Sequence, residues 1–235
     1  MKLTIKSVVL GLSLLLANGS VTHAQDYGRG FEAVKRGDFV TALREWRPLA
    51  EQGDADAQHS LGVMYENGEG VTQDYREAAK WYLLAALQGN ASAQNNLGVL
   101  FGNGEGVTQD YDKAVRLYRL SAEQGNASAQ NNLGGMYKRG EGVTQDYDEA
   151  VRLFRLSAEQ GNAGAPKYLG EMYASGKGVT QNNLYAHMWF NVAASNGNTG
   201  GAQSRDSIAK SMTAADISKA QDLARVCAQK NFKGC

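Results

Sequence analysis

A block of about 36 residues recurs four times along this 235-residue chain. Gly62, Gly98, Gly134 and Gly170 fall one period apart, and so do Gly53, Gly89, Gly125, Gly161 and Gly197. Between them recur Val71-Thr72-Gln73-Asp74-Tyr75, Val107-Thr108-Gln109-Asp110-Tyr111 and Val143-Thr144-Gln145-Asp146-Tyr147. A repeat of this length is one supersecondary unit that cannot bury its apolar face alone, so neighbouring units must complete a continuous core. The period therefore constrains the fold tightly. It constrains function weakly, because stacked repeats work mostly by presenting a surface.

Residues 90–125 show the grammar of one unit. Asn90 can accept a hydrogen bond from a free backbone N–H and so cap a helix starting at Ala91. Ala93, Leu97, Leu100 and Phe101 follow at helical spacing and make one apolar stripe. Gly98 lies inside that helix, at a cost of up to ~1 kcal/mol relative to Ala, which predicts a neighbouring helix too close for a Cβ. Gly104 stops the helix, a loop follows, and Asp110 caps a second helix buried through Tyr111, Ala114, Val115, Tyr118 and Ala122. The same rules predict helix pairs at 55–66 with 75–88, 91–102 with 111–124, 127–138 with 147–160, and 163–174 with 183–196. No strand is needed, and the fold class is all-α, a stack of antiparallel helix pairs.

The ends depart from the repeat, as capping units do. Residues 25–53 hold a shortened pair at 27–36 and 39–52, in which Pro48 is expected to kink or break the second helix because it lacks an N–H. Residues 54–198 hold the four repeats. Residues 199–235 add a helix at 199–211 and a last one at 214–230, opened by Thr213-Ala214-Ala215-Asp216 as a capping box. Ahead of all this, Lys2 and Lys6 precede the apolar run Val8–Ala17, and Thr22-His23-Ala24 offers small residues before a cut. That is the pattern of a secretory signal peptide over 1–24, its apolar run too short to span a bilayer. Export brings an oxidising compartment, so Cys227 and Cys235 are expected to form a disulfide; a Cys-x-x-Cys redox arrangement is missing.

Charge narrows the partners. The chain carries 24 basic and 24 acidic residues; removing the leader takes two lysines and no acid, leaving a net charge of −2. A basic footprint is the usual mark of nucleic-acid binders, and none is expected here, nor is membrane insertion of the mature chain.

The chemistry-bearing motifs are few. Ser207-Ile208-Ala209-Lys210 matches Ser-x-x-Lys, but the Ser-Asp-Asn and Lys-Thr-Gly elements that accompany it in penicillin-recognising enzymes do not occur. His59 and His187 lie in different repeats without a metal-binding spacing and read as surface or packing histidines. Gly68-Glu69-Gly70 and its equivalents follow a helix, whereas a phosphate-cradling loop follows a strand. Asp74, Asp110 and Asp146 read as helix caps. Arg116, Arg119, Arg152 and Arg155 read as a solvated outer face, with Asp112–Arg116 and Asp148–Arg152 ion pairs at i,i+4. No catalytic group, metal site or cofactor is expected.

The first helices carry the more specific signal. Corresponding positions hold His59, Asn95, Asn131 and Lys167, and the next positions hold Ser60, Asn96, Asn132 and Tyr168. Stacking turns each row into a ladder, and asparagine offers both donor and acceptor to an extended peptide backbone. Glu66, Lys138 and Glu171 fall near the same face. The candidate ligand-binding set is therefore His59, Asn95, Asn131, Lys167, Glu66 and Lys138. The competing reading is that these asparagines only tie helices together.

The motif Ala-x-x-x-Leu-Gly-x-x-Tyr, as in Ala57–Tyr65 and Ala129–Tyr137, resembles the Sel-one-like repeat, a relative of the tetratricopeptide repeat. The loop Gly-x-Gly-Val-x-Gln-Asp-Tyr and the run Ala186-His187-Met188-Trp189-Phe190-Asn191-Val192-Ala193-Ala194-Ser195-Asn196-Gly197-Asn198 carry the same resemblance. It implies a right-handed α-solenoid whose concave face is built by the first helices. It also implies a non-enzymatic scaffold or adaptor that binds protein or peptide segments, often in bacterial envelopes or at contacts with host cells. The alternatives are a factor that modulates contact with host cells and, from another class, a cell-wall-related hydrolase or penicillin-binding protein.

Overall fold

The structure is a computed structural model that describes residues 27–235, so the expected leader lies outside the described residues. Those residues form twelve helices and no strand. Residues 27–35 make α1. Then come α2 (Phe39–Glu51), α3 (Ala55–Asn67), α4 (Tyr75–Leu87), α5 (Ala91–Asn103), α6 (Tyr111–Glu123) and α7 (Ala127–Arg139). The remaining helices are α8 (Tyr147–Glu159), α9 (Ala165–Ser175), α10 (Asn183–Ser195), α11 (Thr199–Ala209) and α12 (Ala214–Gln229). Consecutive helices pack as pairs, which makes the chain an all-α solenoid of the expected kind.

The caps explain why the helices start and stop where they do. Asp54, Asn90 and Asn126 accept from the N–H groups of Ala57, Ala93 and Ala129 at 2.8–2.9 Å. Asp74, Asp110 and Asp146 do the same for the second helices. Each first helix ends on a left-handed glycine, at Gly68, Gly104, Gly140 and Gly176, with φ of 70–75°, a conformation glycine adopts without a Cβ penalty. The second glycine of each loop meets a different demand. A Cβ on Gly70, Gly106, Gly142 or Gly178 would come within 2.3–2.8 Å of backbone atoms of Phe39, Tyr75, Tyr111 or Tyr147. The Gly-x-Gly loop is thus wedged against the preceding repeat. Its glutamine closes it: the side-chain amides of Gln73, Gln109, Gln145 and Gln181 donate to the carbonyls of Glu66, Gly102, Lys138 and Ala174.

The glycines inside the first helices face aromatic rings. A Cβ on Gly62 would lie 2.4 Å from the Tyr82 ring, on Gly134 2.8 Å from Phe154, and on Gly170 2.4 Å from Phe190. What excludes the Cβ is mainly a side chain of the paired helix, rather than its backbone.

Four expectations need correction. Tyr111, expected on the buried face of α6, is exposed at the start of that helix. Pro48 does not break α2, which continues to Glu51. In its last turn the ring removes one backbone bond, while its own carbonyl still accepts from the Gln52 N–H at 3.1 Å. The α9 helix begins at Ala165, two residues late. In the sister repeats the N–H of Gln58, Gln94 and Gln130 donates to the capping residue four back. Pro166 stands in that register without an N–H, so the first backbone bond moves to Lys167 N–H on Gly164 C=O, at 3.1 Å. The arginines also pair differently. Arg116 donates to the Asp112 backbone carbonyl, and Arg152 grips Glu149 through two bonds of 2.7 Å rather than Asp148.

Arg119 and Arg155 hold the tyrosine hydroxyls of Tyr137 and Tyr173, as Arg47 holds Tyr65. In the repeat where the sequence places Phe101 at the tyrosine position, the arginine position holds Leu83. Hydroxyl and guanidinium are lost together, and Leu83, Leu84 and Leu87 of α4 are exposed.

The described residues fall into two compact units. The first runs to Leu100 and includes Gly104–Thr108; the second comprises Phe101–Asn103 and Gln109–Cys235. Trp46, Leu49, Leu61 and Met64 centre the core of the first. Phe154, Leu169, Met172, Trp189 and Phe190 centre that of the second. At the C-terminus Thr213 caps α12 through the Asp216 N–H at 3.1 Å. Cys227 and Cys235 are bonded, with Cα atoms 5.9 Å apart. The tail between them folds back, the Phe232 N–H donating to the Cys227 carbonyl at 2.9 Å.

Candidate functional site

In the first unit, His59 and Glu66 project from α3 toward α4 and α5. Tyr82 of α4 is fully buried beneath Gly62, so only its hydroxyl is placed to bond polar neighbours. That hydroxyl donates to Glu66 Oε2 and accepts from Asn96 Nδ2 at 3.2 Å. The Asn96 amide also lies 3.4 Å from His59 Nε2, and the His59 ring sits 5.7 Å from the Tyr82 ring. Burial lowers the His59 pKa, with Asp56 opposing it. Burial and the Glu66 carboxylate raise that of Tyr82. The result is a chain of neutral groups ending on one carboxylate. Asn95 stands beside it, 8% exposed, its amide donating to Asn96 Oδ1 at 3.0 Å.

The second unit builds a different cluster on the same helix face. Lys138 of α7 and Lys167 of α9 both pair with Glu171, the second at 3.4 Å. Both ammonium groups lie over the Tyr168 ring, at 5.0 and 5.7 Å from its centroid. Tyr168 in turn stacks on buried Phe154 at 4.9 Å. The two lysines and one glutamate leave a net charge of +1. Asn131 Oδ1 is buried and finds no hydrogen-bond partner among the described residues.

The six candidate residues thus divide. The first unit joins His59 and Glu66 through Tyr82 and Asn96, with Asn95 adjacent. The second joins Lys138 to Lys167 through Glu171. The sequence reading did not single out Tyr82; the signal was its hydroxyl, since buried polar groups need partners. It also passed over Gln58, Gln94 and Gln130. These are buried, and their side-chain amides donate to the carbonyls of Ala50, Ala86 and Ala122, tying each repeat to the one before.

The other motifs take structural places. His187 is 2% exposed, and burial together with Arg205 lowers its pKa. Ser207 and Lys210 are both exposed at the end of α11. Among the described residues no group of three His, Cys, Asp or Glu side chains could hold a metal ion. Nor is any helix among them long and apolar enough to cross a membrane.

Comparison with known proteins agrees with this architecture. The Sel1 repeat model matches residues 55–90, 91–126, 127–162 and 167–198. A solved protective antigen of uropathogenic Escherichia coli, described as displaying an SLR fold, is 34% identical with a TM-score of 0.75; the match covers 95% of this chain and 48% of that one. A Sel1 repeat protein from Oxalobacter formigenes is 29% identical with a TM-score of 0.69, covering 87% of this chain and 85% of that one. An exopolysaccharide production negative regulator of Rhizobium leguminosarum bv. viciae is 43% identical over 53 residues, 23% of this chain and 20% of the regulator. The chain therefore spans about half the length of the antigen and a fifth of the regulator. With four matched repeats covering more than half its length, the chain belongs to the Sel1 repeat family.

Proposed function

We propose that this chain is a non-enzymatic scaffold that binds protein segments on the face of its first helices, in the periplasm or outside the cell. Membership of a repeat family whose members typically scaffold protein contacts supports the reading. The observation that carries it is the polar row at one helical register, His59 and Asn95 in the first unit and Asn131 and Lys167 in the second. Asn131 Oδ1 there is a buried acceptor with no partner among the described residues, and an unmet buried polar group costs about 1–3 kcal/mol. A ligand backbone N–H satisfies such a group once the Asn131 side chain turns outward to meet it. Glu66 and Lys138 then select the charge of the segment.

The test uses the chain from residue 25 onward as bait for bacterial envelope proteins, with crosslinking to map the contact. The Asn95→Ala plus Asn131→Ala double variant loses the captured segment and keeps its helix content, since Ala is the better helix former. Capture unaffected by the double change, but abolished by Arg116→Ala plus Arg119→Ala, moves the site to the outer face. A second setting for the same surface is contact with host cells, which the family resemblance implies. The cell-wall hydrolase reading has only exposed Ser207 and Lys210 in its favour, and nitrocefin turnover by the folded chain would revive it.

A further inference from the structure

We propose that the cluster around Glu66 is a binding site for a cationic side chain, an arginine guanidinium or a lysine ammonium, presented by a bound segment. The inference rests on the segment-binding reading and adds the chemistry of one subsite. Glu66 is half-buried and makes no ion pair among the described residues. The repeat does not need an acid there: the same register holds Gly102, Lys138 and Ala174. Nor does the repeat need the hydroxyl that holds it: the position of Tyr82 keeps a tyrosine in the next unit, Tyr118, where no acid stands at the register of Glu66, and is Phe154 and Phe190 in the two after it, with the same ring-under-glycine packing. A carboxylate and its positioning donor thus occur together where packing requires neither.

The geometry suits a cation. Tyr82 takes Oε2 of Glu66 and leaves Oε1 for a ligand. Asn96 fixes the tyrosine oxygen from the other side. The neighbouring imidazole, desolvated by burial, is neutral near pH 7 and adds no repulsive charge. A partly desolvated carboxylate held by a donor forms a stronger charge-assisted bond than one free in water. The second unit provides the contrast: Lys138, in the register of Glu66, is already ion-paired with Glu171.

The experiment is an NMR titration of the chain from residue 25 onward with blocked pentapeptides, Ala-Ala-Xaa-Ala-Ala, in which Xaa is Arg, Lys or citrulline. The Arg or the Lys peptide should shift the Asn96 side-chain amide at millimolar concentration, and comparing the two identifies the preferred cation. Citrulline, which keeps the shape and loses the charge, should bind at least about tenfold more weakly. Glu66→Gln should weaken the preferred peptide about tenfold and leave the thermal midpoint unchanged, while Glu51→Gln, an exposed acid at the end of α2 outside the candidate set, should not alter its affinity. Tyr82→Phe should weaken it severalfold without loss of helix content. Equal binding of citrulline, an unchanged affinity in Glu66→Gln, or no shift at Asn96 with either cation overturns the site. If all three peptides shift first-helix resonances equally, segment binding survives and the cation site does not. If none shifts any first helix, both readings lose their support.

Discussion

At the scale of single residues, the helix-interior glycines are not equivalent. Gly62 is stacked against the Tyr82 ring, whereas a Cβ on Gly102 of α5 would meet nothing closer than 3.7 Å. Gly62→Ala should therefore destabilise by about 1–3 kcal/mol through overpacking. Gly102→Ala should stabilise by about 0.5–1 kcal/mol, because it removes backbone freedom from the unfolded chain. Chemical denaturation of the two variants measures both signs. Histidine gives a second prediction at this scale. Burial lowers the pKa of His59 and His187 below the usual 6.5. The unfolded chain then binds more protons than the folded one as pH falls below about 6.5, so stability rises with pH across that window and is lost on acidification. The loss is at most about 1.4 kcal/mol per pH unit for each histidine. His59→Gln should flatten the dependence between pH 6.5 and 5; an unchanged slope would place the effect elsewhere.

At the scale of elements, the buried glutamines link one helix pair to the next. Gln94 is 5% exposed and donates to the Ala86 carbonyl at 3.2 Å. Gln94→Ala should cost about 0.5–1.5 kcal/mol by removing the side-chain bond between the pairs, the Ala86 carbonyl still accepting from the Gly89 N–H at 3.0 Å, read as a lower denaturation midpoint with unchanged helix content. Pro166 is the natural exception, and it delays α9 as well as removing the side-chain link. Helix positions were legible in the sequence because caps, stripe and terminal glycine all agree within each repeat. The delayed start of α9 was legible in principle, since Gly164 and Pro166 both depart from the repeat. The run of α2 through Pro48 was not, because the cost of a proline depends on how few turns remain beyond it. The site was half legible. Rows of matching positions follow from the period, but which side chains bond to each other does not. His59 and Glu66 are seven residues apart and meet through Tyr82, sixteen beyond Glu66. Lys138 and Lys167 share a glutamate that no repeat rule predicts.

At the scale of the whole molecule, stability in a repeat chain approximates a sum of repeat terms and nearest-neighbour interface terms. Cutting at the same register therefore matters more than the number of residues removed. Deleting 127–162 joins Asn126 to Ala163 and preserves the order of first and second helix, along with the Asn cap ahead of the next unit. It removes Lys138 and Asn131 from the candidate site while leaving Lys167 paired with Glu171. Deleting 127–144 removes fewer residues but sets two second helices, α6 and α8, in succession, so the α8 ring lacks its first-helix glycine and the buried glutamine of that unit is gone. The in-register deletion should keep helix content per residue and a cooperative thermal transition, and the half-repeat deletion should lose both. Circular dichroism during heating distinguishes them. Equal damage from the two would mean that the repeat is a pattern in the sequence without being the unit that folds.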